Sequence, residues 1–278
     1  MQIKIKTPAK INYTLEIVSK RNDGFHEIQS IMQMINLYDF LTFDVSPSNQ
    51  FMINLSGTNN EIPYDDKNIV YKAIKLFSDY INAKPCEYNV FIEKNIPTEA
   101  GLAGGSSNAV GIILAMNKYY NNILSINELH KLCSKLGSDL NVILIGGCVL
   151  AKGRGEIVSA LPYQEYPVSL IKPNMGISAK EGYKRYSDLP VKPNLNNTSK
   201  MLECLKIGSD IKKYLYNDLE TAVFNYYPEL QAIKLKNPNA VMSGSGSTYF
   251  TLEPDIIQVG ACWSMTGLKT IASGCEFI

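Results

Sequence analysis

The 278 residues carry 27 basic and 26 acidic side chains, a formal net charge of +1, and 45% of them are hydrophobic. So balanced a charge leaves no electrostatic footprint for nucleic acid or an anionic membrane, so any charged ligand must be met locally. The length suits one large domain or two of ordinary size, with a core of its own. Six cysteines at irregular spacing, no C-x-x-C pair and only two histidines argue against a zinc centre or a disulfide framework. The opening "MQIKIKTPAKINYTL" has no signal-peptide core, and the apolar run "VILIGGCVLA" (142–151) is far short of the ~20 residues of a membrane helix. The expectation is a cytoplasmic, reduced, globular protein, a monomer or weak homodimer.

In chain order, "IKIK" (3–6) and "INYTLEIV" (11–18) alternate with period two and predict two half-buried strands. Asp23-Gly24 marks a turn. Strand-like sequence follows at 28–45 and in "FMINL". Ile69, Val70, Ala73, Ile74, Phe77 and Ile81 predict a helix from about Asn68, with Asp65 or Asp66 as N-cap. "YNVFIE" (88–93) reads as a strand and Ser106 to about Tyr120 as a helix. Ser125 and Glu128 form a capping box for a further helix ending at Gly137. "GGCVLAKG" reads as a strand, and "SALPYQEYP" (159–167) as the boundary between domains at 1–160 and 161–278. The second part holds strand "VSLIKP", a loose loop at 192–197, and helical patterns near 198–206, 210–226 and 228–235. Strands "NAVM" and "STYFTL", a helix near 254–265 and a last strand complete an α+β sandwich of ferredoxin-like plan.

The chemistry concentrates in "IPTEAGLAGGSSNAVG" (96–111). It has neither the lysine of a Walker A loop nor the spacing of a Rossmann fingerprint. Gly101, Gly104 and Gly105 nevertheless allow a ligand close to the backbone, Ser106 and Ser107 offer hydroxyls, and the following helix offers free N–H groups. A plain strand-to-helix turn is the alternative. "TPAKINYTLEI" puts Lys10 and Asn12 on one face of a strand, and "MSGSGSTYF" (242–250) is a second small-residue loop.

These segments, in this order, resemble the GHMP kinase family, and "PTEAGLAGGSS" is similar to its central phosphate-loop motif. The segments "PAKINYTLEIVSKRNDGFHEIQSIMQMINLYDFL" and "LGSDLNVILIGGCVLAKGRGE" resemble the branch acting on 4-diphosphocytidyl-2-C-methylerythritol. The resemblance implies a two-domain α+β fold, an N-terminal ribosomal-S5-domain-2-like unit followed by a ferredoxin-like sandwich. It also implies an ATP-dependent kinase of non-mevalonate isoprenoid synthesis that phosphorylates the 2-hydroxyl of that cytidine-diphosphate-linked alcohol. The same chemistry on a homoserine- or mevalonate-type alcohol, or a non-catalytic binding protein of this fold, are the alternatives.

Under the resemblance, Asp139 is the catalytic carboxylate facing the acceptor hydroxyl, with Lys10 beside it. A carboxylate is a feeble base toward an alcohol, but in a loose phosphoryl-transfer transition state the proton leaves late. An N-cap for Asp139 and an exposed strand lysine for Lys10 are the plain alternatives. The family usually has Asp-Val-Pro where this chain reads Asp139-Leu140-Asn141, which removes a proline that pre-sets the helix. His26, Phe25 and Tyr183 are implied to read and stack on the cytosine, with core packing as the alternative for both aromatics. Asn12 is implied to bind the substrate near the cytidine or the acceptor end, and Gly244, Ser245 and Gly246 to shape the acceptor pocket, unless they only make a β-turn. Pro97, Gly101, Leu102, Ala103, Gly104, Gly105, Ser106, Ser107 and Asn108 are implied to hold the phosphates of ATP, and Lys94 and Asn68 its adenine. Magnesium travels with ATP, and its protein ligands are unknown. His130 reads as a solvated helix residue.

Overall fold

The computed structural model describes residues 2–189 and 196–278. Strands β1 (Gln2–Lys20) and β2 (His26–Pro47) form one long antiparallel ribbon. It turns where Asp23-Gly24 predicts: Gly24 has φ +84°, and the Arg21 N–H donates to the Phe25 carbonyl at 2.8 Å. The two strands expected at 3–6 and 11–18 are thus one. Period-two burial holds at its start, but every residue from Thr7 to Leu15 is buried. The reason is that Ala9, Ile11 and Tyr13 enter the second of the two cores described below, while the Gly-rich loop and the helix after it cover the other side. Register shifts at Pro8/Ala9, Asn12/Thr14 and Ile17/Ser19 bend the ribbon.

After the ribbon come β3 (Met52–Gly57), α1 (Ile69–Ile81), β4 (Cys86–Glu93), α2 (Gly104–Tyr119), α3 (Ile126–Leu136), α4 (Leu140–Ile145), β5 (Cys148–Gly153) and β6 (Ile157–Leu161). The remaining elements are β7 (Pro167–Lys172), α5 (Ala179–Ser187), α6 (Asn197–Ile207), β8 (Tyr216–Asn217), α7 (Asp218–Val223), α8 (Pro228–Lys236), β9 (Val241–Met242), β10 (Tyr249–Thr251), β11 (Trp263–Lys269) and β12 (Glu276–Phe277). One sheet runs β12-β1-β2-β4-β3, with β5 on the first half of β2, β6 on β5, and β8 beside β1. The second runs β11-β7-β10-β9. Ile3, Ile5 and Phe43 of the first sheet form one core with Ile74, Phe77, Val110, Ile113, Leu132 and Ile143 of α1–α4. Ala9, Ile11 and Tyr13 form another with Val168, Leu170 and Phe250 of the second sheet and Met201 and Leu205 of α6.

Local chemistry explains where expectation and structure part. The N-cap of α1 is Asn68, whose Oδ1 accepts the Val70 N–H at 2.9 Å, whereas Asp65 serves the Lys67 N–H before the helix starts. The capping box of Ser125 and Glu128 is present, and Gly137 follows the last residue of α3. The helix expected over 210–226 is broken because Tyr216–Asn217 pairs with Thr14–Leu15 of β1 and Asn217 caps α7. No helix forms over 254–265. Asn237 ties both backbone groups of Ile257, and Trp263–Lys269 pairs with β7 instead. Helix α5, not anticipated, is capped by Ser178. Of the loop expected at 192–197, residues 192–195 lie outside the described residues, and Asn197 already belongs to α6.

Helix α2 crosses β1 at Gly111, where a built Cβ lies 2.4 Å from the Thr7 Cγ2 and 3.2 Å from the Leu41 Cδ1. Thr7 cannot turn away freely, because its hydroxyl donates to the Asn108 Oδ1 at 2.8 Å. Gly111→Ala gains up to ~1 kcal/mol of helix propensity, but overpacking a close crossing costs ~1–3 kcal/mol. Net destabilisation of about 1–2 kcal/mol is expected in urea unfolding at 25 °C; a variant as stable as the parent would refute the close crossing.

Candidate active site

A cavity of about 1110 Å³ opens where the Gly-rich loop, the β1–β2 ribbon, α5 and the loop after β9 meet. The loop 97–103 is held from both sides. The Lys10 N–H donates to the Leu102 carbonyl at 3.0 Å, the Ser243 hydroxyl to the Gly101 carbonyl at 3.0 Å, and the Thr248 N–H to the Ala100 carbonyl at 3.3 Å. Gly101 is required here: its φ is +73°, and a Cβ would lie 2.0 Å from the Ser243 oxygen. Ala103, left-handed at φ +57°, turns the chain into α2, and no side chain caps the first turn. Helix α2 therefore presents uncapped N–H groups and its positive dipole end at the cavity wall. Pro97, Gly101, Leu102, Ala103, Gly104, Gly105 and Ser106 line that wall.

Ser107 and Asn108 do something else. The Ser107 hydroxyl donates to the Pro8 carbonyl at 2.7 Å and the Asn108 Oδ1 accepts from Thr7, both buried, so these side chains fasten α2 to β1. Asn68 is engaged too, donating to the Pro63 carbonyl at 2.6 Å while it caps α1. Asn68, Asn108, Lys94 and Gly105 line a smaller cleft of about 160 Å³, which shares Lys94 and Gly105 with the larger cavity. The Lys94 ammonium is buried 2.8 Å from the Asp39 carboxylate. Asp39 also accepts the N–H groups of Asn95 and Ile96 at 2.7 and 2.8 Å, a role the sequence did not signal. Burial lowers the Lys94 pKa, and Asp39 opposes that shift. Gly104 is small for the same reason, since its Cβ would lie 2.8 Å from that ammonium.

Lys10 is buried, not an exposed strand lysine, at 3% exposure. Its ammonium donates to the Asn12 Oδ1 at 2.7 Å and lies 3.7 Å from the Asp139 Oδ2. Asn12 in turn donates to the Ser30 hydroxyl at 2.9 Å. Burial lowers the Lys10 pKa and Asp139 partly restores it. Asp139 occupies the N-cap position of α4 without capping, so its carboxylate is left for the cavity. Asn141 holds that turn. Its Oδ1 meets the His130 Nδ1 at 3.1 Å, and its Nδ2 donates to the Ser134 hydroxyl at 2.8 Å and the Glu156 carbonyl at 3.3 Å. His130 is thereby engaged rather than merely solvated. The expected loosening at the missing proline is offset by three side-chain tethers.

At the other end of the cavity, His26 and Tyr183 stack face to face, with centroids 5.2 Å apart and planes 16° apart. The His26 Nε2 also meets the Ser187 hydroxyl at 3.2 Å, so α5 carries both partners. Burial, then the charge of Asp139, pushes the Tyr183 phenol up, so it stays protonated. Phe25 is no core residue: it is 54% exposed, with the Arg154 guanidinium carbon 4.8 Å from its ring centre. Gly244 has φ +56°, and a Cβ there would lie 3.0 Å from the Gly101 carbonyl oxygen and 3.2 Å from the Lys10 ammonium, so a side chain would be crowded on both sides. Asn217 holds that loop by donating to the Met242 and Gly244 carbonyls at 2.6 and 2.8 Å. Ser245 lines the cavity with its hydroxyl on the Ile177 carbonyl; Gly246 packs against Met242, outside the lining.

Residues 68–147 match the family described as the GHMP kinases N terminal domain. The chain is 40% identical to the 4-diphosphocytidyl-2-C-methyl-D-erythritol kinase of Prochlorococcus marinus (strain MIT 9301), over 92% of this chain and 87% of the relative. It is 36% identical to that of Clostridium botulinum (strain Alaska E43 / Type E3), over 93% and 94%. A crystal structure of 4-(cytidine 5'-diphospho)-2C-methyl-D-erythritol kinase superposes with TM-score 0.72 at 29% identity, covering 89% of this chain and 88% of the other. Homoserine kinase from Cytophaga hutchinsonii superposes with TM-score 0.78 but 17% identity, over 100% and 97%, which shows a shared fold alone. The chain belongs to the 4-diphosphocytidyl-2-C-methyl-D-erythritol kinase family, within the GHMP kinases.

Proposed function

We propose that this protein transfers a phosphoryl group from ATP to the 2-hydroxyl of 4-diphosphocytidyl-2-C-methylerythritol, in non-mevalonate isoprenoid synthesis. One observation carries the chemistry: the buried Lys10 and the uncapped Asp139 face each other in the cavity walled by the open end of α2. The α2 terminus fits a polyphosphate, because unpaired N–H groups and a positive dipole end favour an anion. When bound, ATP would supply the phosphoryl group, and magnesium carried on it would neutralise charge there. Gly101 to Ser106 hold the phosphates by backbone and the Ser106 hydroxyl, while Ser107 and Asn108 act by fixing α2. The smaller cleft beside Asn68 and Lys94 is the adenine side.

Asp139 orients the acceptor hydroxyl and receives its proton late, as a loose transition state allows. Lys10 pairs with that carboxylate and stabilises charge on the transferred group. Asn12 positions Lys10. With His26 and Tyr183 already in contact, a cytosine either parts them or stacks on an outer face; exposed Phe25 offers a second surface. Residues 1–160 thus carry the phosphate loop and catalytic pair, and residues 161–278 add Tyr183, Gly244 and Ser245 on the acceptor side. Among the described residues no helix is long and apolar enough to cross a membrane. We place the activity in the cytoplasm, in a monomer or weak homodimer.

The test is magnesium- and ATP-dependent phosphorylation with the cytidylyl alcohol, homoserine and mevalonate offered side by side. Turnover of the first alone supports the reading, and turnover of another acceptor removes the substrate. Asp139→Ala is expected to lower kcat by roughly 10²-fold or more while ATP still binds; unchanged kcat would remove Asp139 from the chemistry. Asn141→Leu keeps the side-chain size but deletes all three tethers of the Asp139 turn. A misplaced carboxylate costs turnover rather than binding, so kcat is expected to fall about 10-fold or more with ATP affinity preserved. A fall in thermal stability with kcat intact would make Asn141 purely structural.

A further inference from the structure

Among the described residues six cations line the cavity, and they divide into two kinds. Lys10 and Lys94 face Asp139 and Asp39. Lys20, Arg154, Lys180 and Lys184 have no carboxylate within ion-pair distance among the described residues. The three lysines of this second kind are exposed, whereas Arg154 is half-buried. A solvated lysine on a flexible stem offers a screened point charge; a fixed guanidinium offers a fork matched to phosphate oxygens.

The backbone that carries Arg154 is held in place, and the guanidinium leans on the Phe25 ring. It sits in the β5–β6 turn between Gly153 and Gly155, at φ +74° and +115°. The Gly153 N–H donates to the Glu27 Oε1 at 3.1 Å, the Arg154 N–H to the Glu156 Oε2 at 2.6 Å, and the Gly155 N–H to the Lys152 carbonyl at 3.1 Å. Glu27 is itself held by Arg21 at 2.8 Å. The Glu156 carbonyl accepts from Asn141, which ties the turn to α4. A Cβ on Gly155 would lie 2.9 Å from the Ser138 Cβ, so the turn abuts the residue before Asp139. On its other side the guanidinium lies over the Phe25 ring. Arg154 therefore stands between the aromatic end of the cavity and the carboxylate at the reacting end.

We infer that Arg154 is the residue that binds the diphosphate of the acceptor, and so selects a nucleoside-diphosphate-linked alcohol over an uncharged one. The inference rests on the acceptor proposed above and adds the group that reads its charged middle. A bidentate guanidinium–phosphate pair is the chemistry that fits a dianionic link between base and hydroxyl. The Phe25 ring restrains the guanidinium from one side, which lowers the ordering cost of that pair.

The experiment measures equilibrium binding of CDP and of cytidine to the full chain and to Arg154→Gln. A non-hydrolysable ATP analogue with magnesium is present throughout, so that the α2 phosphate loop is already occupied. The wild type is expected to bind CDP more tightly than cytidine. In Arg154→Gln, CDP affinity is expected to fall about 10- to 100-fold while cytidine affinity stays within a factor of about two. Retained cytidine binding also reports that the variant pocket is folded. Equal losses for both ligands would assign Arg154 to the base or to the fold and overturn the inference. So would an unchanged CDP affinity, or a wild type that binds cytidine but gains nothing from the phosphates. A wild type that binds neither ligand overturns the proposed acceptor, and this inference with it.

Discussion

The active-site half of this molecule is organised around one buried ammonium. Lys10 lies on a strand covered on both faces, where an unpaired charge would be costly to desolvate. It is tolerated because Asn12, two residues along the same face, and Asp139, at the start of α4, approach it. Those two neighbours fix where α4 must begin and how β1 must run. The same position leaves little room at Gly244, where a Cβ would lie 3.2 Å from the ammonium and 3.0 Å from the Gly101 carbonyl oxygen. The Lys10 backbone also holds the Gly-rich loop through Leu102. One residue, through its side chain and its backbone, thereby links three loops that are far apart in the chain.

What was legible in the sequence was local. The turn at Asp23-Gly24, the Ser125–Glu128 capping box and the Gly-rich entry to α2 are each signalled by a few adjacent residues, and each is present. The pairing of Lys10 with Asn12 followed from strand alternation, and their meeting with Asp139 from the family resemblance. Ser178 followed three residues later by Glu181 carried a capping signal for α5 that was passed over. What was not legible depended on partners remote in sequence. Asp39 reads as a polar interruption of an apolar strand until Lys94 and two backbone N–H groups converge on it. Ser107 and Asn108 read as ligand hydroxyl and amide, and only the packing of α2 on β1 shows them facing Pro8 and Thr7. Tyr216 and Asn217 belong to an otherwise helical pattern, and their pairing with Thr14 and Leu15 overrides it.

Asn141 illustrates how one position can reach rigidity by different means. A proline there would restrict the backbone directly. The asparagine restrains it through side-chain hydrogen bonds to α3 and to the β5–β6 turn. The second solution links the start of α4 to two further elements, so that the turn bearing Arg154 and the turn bearing Asp139 share a support.

Strand β12 pairs with β1 through Ile5–Phe277 and Lys6–Glu276, so the edge of the first sheet is closed by residues some 270 positions away. During synthesis β1 emerges well before β12, so that edge stays uncovered until the chain between them has been made. An uncovered edge offers unpaired backbone groups to any other nascent strand. Lys4 and Lys6, spaced along that stretch, put charge on the waiting edge and discourage such contacts. The alternation at the start of β1 thus protects the chain in the interval before β12 arrives.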